Sequence, residues 1–164
     1  MCLSVWVGSS APIPPVPLAD PRVPDPVNGY HAVGDVAPDD PVRARFSLPH
    51  VSWVGSHQGC GCGFESGGLT WQGFVRVAEA AHLVDAMLPD EQEEFASEQR
   101  SRALLRGVIE RALADGAVEV YGCWAGDEAL AAQSVEDVEP VWFTERLSPV
   151  AERVLYRVRW PAPG

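Results

Sequence analysis

Lysine is missing from this chain, and all 12 of its basic residues are arginine. That absence excludes a Schiff-base lysine, a Ser-Lys dyad and a P-loop, each of which needs an ε-amino group. Missing lysine is also what codon bias in a GC-rich genome produces. Positive charge is scarce altogether, with 12 basic against 23 acidic residues and a formal net charge of −11. Clustered cations hold a nucleic-acid backbone or an anionic headgroup, so neither nucleic acid nor a membrane surface is an expected partner. No apolar run approaches the ~18 residues that a membrane helix requires. The opening Met1-Cys2-Leu3-Ser4-Val5-Trp6-Val7 has no basic head, and Pro12, Pro14 and Pro15 cut it short. It therefore reads against a secretory signal, and a cytoplasmic protein with reduced thiols is expected.

Cysteine is sparse too, at four residues, and the paired C-x₂-C knuckles of a familiar zinc module are absent. What is present is one dense loop, His57-Gln58-Gly59-Cys60-Gly61-Cys62-Gly63, with a further thiol at Cys2. Thiolate and imidazole are the usual ligands of zinc and copper(I). Glycine beside each cysteine lets the loop bend so that both thiols approach one centre. His57 stands three positions before Cys60, within reach of the same ion. Cys2, His50 and Cys123 are the remaining candidates. A set of Cys2, His57, Cys60 and Cys62 would make a Cys₃His site, which favours zinc; the C-x-C pair also suits copper(I). The principal expectation is a small protein binding a transition metal, zinc ahead of copper, through these four residues.

Other readings of the same residues are thiol chemistry and packing. The start Met1-Cys2 followed by an apolar residue resembles glutamine amidotransferase domains of the N-terminal-nucleophile class. That resemblance covers the dipeptide alone. It implies a cysteine-dependent hydrolase with Cys2 as nucleophile and its α-amino group as base; Asn28-Gly29 could supply an oxyanion hole, although this dipeptide reads more as a plain turn. Cys60 and Cys62 could instead form a redox pair, with His57 lowering a thiol pKa. As a third possibility, the chain is a non-enzymatic interaction protein that docks through its six tryptophans or its acidic surface. Glycine-rich backbone at Gly59–Gly63 could also cradle an anion, with Arg43, Arg45 or Arg153, Arg157 and Arg159 as counter-charges, although these arginines suit the acidic surface better. Cys123, between Gly122 and Trp124, reads as core. His31 and His82 carry no assigned role, and Glu91, Glu93, Glu94 and Glu98 read as solvated charges near a helix start.

The pattern along the chain points to an α+β fold: a mainly antiparallel sheet with two consecutive central helices packed on one face. Residues 1–164 are expected to form a single domain, long enough for a core without staples. Ten of the 15 prolines fall between Pro12 and Pro49, so residues 12–49 should wrap the surface as extended chain, with short strands near Tyr30–Val33 and Val42–Phe46. Strands are predicted at residues 2–7, 50–54, 118–124, 141–147 and 153–160. Helices are predicted from Thr70 to Leu88 and, after an Asp90/Glu93 capping box, from Glu91 to Gly116, solvated early and buried late. Residues 126–140 read as an acidic loop.

Overall fold

The structure is a computed structural model that describes residues 2–16, 32–70, 72, 73 and 75–161. Asn28-Gly29 and His31 lie outside these residues, as do Trp71 and Phe74 of the first helical pattern. Six strands form one mixed sheet: β1 (Leu3–Ser9), β2 (Ala32–Asp35), β3 (His50–Gly55), β4 (Val118–Trp124), β5 (Ser134–Val138) and β6 (Val154–Val158). Their order across the sheet is β2-β3-β1-β4-β6-β5, antiparallel everywhere except between β5 and β6. The chain is α+β, as its pattern predicts.

Strand β1 is central, and its alternation serves two cores. Leu3, Val5 and Val7 enter a core with Val120, Tyr156 and Val158 from the sheet and Leu105, Val108 and Ile109 from the long helix α3 (Pro89–Ala114). Trp6 points the other way, joining Tyr121, Cys123, Leu155 and Val51. Val36 and Val42 from the proline-rich segment complete that second core. The opposite faces are thus covered by a helix and by extended chain, and full burial of each aliphatic side chain stabilises the fold by roughly 1.5–3 kcal/mol. The Arg43 guanidinium pins the extended chain by donating to the carbonyls of Val36 at 2.7 Å, Ala37 at 2.9 Å and Pro49 at 3.2 Å. No helix among the described residues is long and apolar enough to cross a membrane.

Several local expectations change. Residues 41–45 form a 3₁₀ turn, because Pro41 suits its first position and the Asp40 carboxylate accepts from the Val42 N–H at 2.9 Å. The first helical pattern divides into a one-turn helix, α1 (Gly67–Thr70), and α2 (Val77–Val84). Gly73, at φ +85°, lies between them and cannot continue a helix in that conformation. Helix α3 starts at Pro89, two residues before the expected Glu91, and Glu91 rather than Glu93 caps it, accepting from the Leu88 N–H at 2.8 Å. The acidic stretch contains the edge strand β5, whose Glu136 and Asp137 are exposed, as charged residues on sheet edges commonly are. Residues 142–145 form a helical turn, α4, instead of a strand; Trp142 Nε1 donates to the Pro149 carbonyl at 2.9 Å, and Phe143 is fully buried.

Candidate metal centre

Register places the cysteines. Antiparallel pairing sets Trp6 opposite Trp53, so the start of β1 lies beside the exit of β3, where the cysteine loop begins. Cys2 precedes Leu3, and its carbonyl accepts from the Ala125 N–H at 2.9 Å, tying it to the end of β4. The loop then folds back over β1. The ligand atoms of Cys2, Cys60 and Cys62 all lie within 4.8 Å of one another. Sulfurs bound ~2.3 Å from one ion stand about 4 Å apart, so closing on a metal needs only a small contraction. Cys2 is exposed, while Cys60 and Cys62 are half-buried.

Close approach, more than flexibility, explains the glycines. A Cβ on Gly61 would stand 2.7 Å from Val5 Cγ2 and 2.9 Å from the Leu3 carbonyl oxygen. A Cβ on Gly63 would strike Ser56 Oγ and the His57 ring. Gly59 is different: it takes φ +73°, with nothing near its missing side chain. Ser56 organises the turn, its hydroxyl oxygen accepting from the Gln58 and Gly63 N–H groups, each at 3.2 Å, while its own N–H donates to the Cys60 carbonyl at 2.8 Å. The Leu3 N–H donates to Cys62 Sγ at 3.2 Å, which holds this sulfur against the start of β1. Burial foremost pushes the Cys60 thiol up to about 11, and the neighbouring thiols of Cys62 and Cys2 add to the rise, against a lowering backbone hydrogen bond at Cys62.

His57 is turned to another task. Its Nδ1 stands 2.8 Å from Ser101 Oγ and its Nε2 3.1 Å from Glu94 Oε1, so both ring nitrogens are engaged by α3. It is not part of the cluster of converging ligand atoms. Burial pushes the Glu94 carboxyl up, but hydrogen bonds from His57 and Gln58 outweigh it and hold it below the ordinary value. The sequence Glu94–His57–Ser101 has the order of a hydrolase relay without its chemistry. Ser101 is fully buried and its hydroxyl donates back to the Ser97 carbonyl at 2.9 Å, so no substrate reaches it. His57 thereby fastens the loop to the helix.

His50 and Cys123 stand apart from the cluster. His50 pairs with Ser9, seven residues along β1 from Cys2, or about 23 Å at strand spacing. Cys123 is fully buried in the opposite core beside Tyr121, and burial foremost raises its thiol to about 11. Of the arginines weighed for an anion, Arg43 and Arg153 donate to backbone carbonyls, Arg159 reaches Asp137 at 3.1 Å, and Arg157 lies 4.0 Å from Glu119. Sequence reasoning missed Ser56, Ser101 and the Leu3 N–H, and it set aside as solvated Glu98, which is buried. Glu98 and Ser101 recur at helical spacing beside Phe95 and Arg102, a buried stripe, whereas Glu94 is exposed as expected and only its partnership with His57 was not foreseen. No known family pattern, curated protein or solved structure matches this chain.

Proposed function

We propose that this chain binds a thiophilic transition metal, zinc ahead of copper(I), through the thiolates of Cys2, Cys60 and Cys62. The convergence of three sulfurs from distant parts of the sequence within 4.8 Å is the observation that supports it. A strand start and a loop held by Ser56, His57 and the Leu3 N–H bring the donors together before any ion arrives. Three soft donors suit trigonal copper(I) and leave tetrahedral zinc one position for a fourth ligand. With His57 held by α3, that position would be open on the exposed Cys2 side, a feature of exchangeable or catalytic sites more than of closed structural ones. The thiols must stay reduced to serve, which fits a cytoplasmic setting.

The cysteine-dependent enzyme reading has less support. A thiol held at about 11, as Cys60 is, is a poor nucleophile near neutral pH. The test is titration of the reduced protein with Zn(II) and with Co(II), whose thiolate charge-transfer absorbance grows with the number of sulfurs bound. One ion per chain with a three-thiolate spectrum is expected, lost in Cys60→Ser and Cys62→Ser and kept in Cys123→Ser. A protein that binds neither ion, or that loses binding in Cys123→Ser alone, would overturn the proposal.

A further inference from the structure

A cleft of about 550 Å³ lies between α3 and the α1–α2 segment, a volume within the usual range for small-molecule sites. Its walls are apolar, from Leu69, Leu83, Met87 and Phe95. Every charged residue lining it is acidic: Asp90, Glu91, Glu94 and Glu98, along one side of α3. Two of these are already engaged. Glu91 caps the Leu88 N–H at 2.8 Å, and Glu94 Oε1 meets His57 and Gln58 at 3.1 and 2.8 Å.

Glu98 is the unusual member. It is only 9% exposed, and its Oε2 accepts from the Ser66 hydroxyl. Its Oε1 makes no hydrogen bond among the described residues, and no cation reaches it within ion-pair distance there. Arg102, one turn further along α3, attracts it from a distance but makes no hydrogen bond to it. Its Nη1 donates to Ser66 Oγ at 3.0 Å and to the Phe64 and Leu147 carbonyls, each at 3.2 Å, while its Nε and Nη2 are buried without a partner among the described residues. Burial foremost raises the Glu98 carboxyl, and the nearby acids Glu94 and Glu65 add to the rise, against the pull of Ser66 and Arg102. A metal ion does not fit here. Among the described residues, the group of potential ligand atoms that converges within 4.8 Å is Cys2, Cys60 and Cys62, not these carboxylates. The acids are instead spread over about 12 Å of helix.

We infer that this cleft is a binding site for a small organic amine, whose ammonium group pairs with Glu98 and whose aliphatic or aromatic body lies along Leu83, Met87 and Phe95. A cationic head donates to the open carboxylate oxygen, and an apolar tail covers the wall that water wets poorly. The site is separate from the thiol cluster, and its test reads a different ligand.

The test is an amide-NMR titration of the full chain at neutral pH with three probes of one length: n-hexylammonium, hexan-1-ol and hexanoate. The expected result is shifts centred on Leu69, Phe95 and Glu98, with the amine about tenfold tighter than the alcohol and the acid weakest. Glu98→Gln should bring the amine down to the alcohol's affinity. Ala86→Trp, which narrows the cleft from an exposed lining position, should weaken all three probes and serves if Glu98→Gln does not fold. The inference is overturned if amine and alcohol bind alike, if none of the probes binds, if the shifts fall away from the cleft, or if Glu98→Gln keeps the preference for the amine.

Discussion

Gly61→Ala tests whether the thiol cluster depends on the loop lying directly against β1. The new Cβ would sit 2.7 Å from Val5 Cγ2 and 2.9 Å from the Leu3 carbonyl oxygen, where ordinary contact begins at 3.4 Å. Val5 is fully buried and the carbonyl belongs to the strand backbone, so neither neighbour yields and the loop must retreat by about half an ångström or more. Overpacking of this kind costs roughly 1–3 kcal/mol. The same retreat carries Cys60 and Cys62 away from Cys2 and lengthens the Leu3 N–H to Cys62 Sγ bond, now 3.2 Å. Zinc affinity is expected to fall about 10- to 100-fold, the usual effect of losing the support around metal ligands. Gly59→Ala is the control. It meets nothing, and φ +73° costs it about 1–2 kcal/mol of left-handed strain, so it should lose stability while keeping zinc. Urea denaturation of the metal-free protein measures the first quantity, and competition with a chromophoric chelator the second. Full-strength zinc binding by Gly61→Ala would refute the claim that seating on β1 assembles the site.

Cys123→Ser is expected to cost about 1–3 kcal/mol in urea melts, because a hydroxyl replaces a thiol in a closed core, with metal stoichiometry unchanged. His57→Ala should lower stability by about 1–3 kcal/mol through the loss of the ring's hydrogen bonds to Ser101 and Glu94, yet leave the three-thiolate Co(II) spectrum in place; loss of one ligand band would restore histidine to the coordination set. Glu98 and Glu65, both raised by burial, take up protons in the folded state before the unfolded chain does. Their contribution to stability is therefore fully present below about 4.5 and is lost as pH rises through their folded values. Glu94, held low, works in the opposite sense: its contribution is present above 4.5 and is lost as pH falls through its folded value. In Glu98→Gln, urea melts across that range should show less decline towards neutral pH than the wild type, and an identical slope would count against a Glu98 carboxyl raised by burial.

By itself the sequence determined the elements whose side chains alternate against two dissimilar surroundings. Strand β4 has the predicted limits, and β1 sends Leu3, Val5 and Val7 to one core and Trp6 to the other, because a period of two is local information. It also marked Cys60 and Cys62 as presented and Cys123 as packed, since glycine flanks and strand neighbours are adjacent residues. Short segments with balanced preferences were decided by their surroundings. Residues 134–138 became an edge strand by lying along β6, and residues 142–145 became a helical turn when Trp142 found the Pro149 carbonyl. That Cys2 joins Cys60 and Cys62 was expected from the sequence; the geometry that achieves it was not. Cys2 meets Cys60 and Cys62 because β1 and β3 are antiparallel with Trp6 against Trp53, a register set by burial across the whole sheet. His57 is as near to Cys60 in sequence as any ligand need be, yet the packing of α3 presents Ser101 and Glu94 to its ring, and the imidazole is not part of the sulfur cluster.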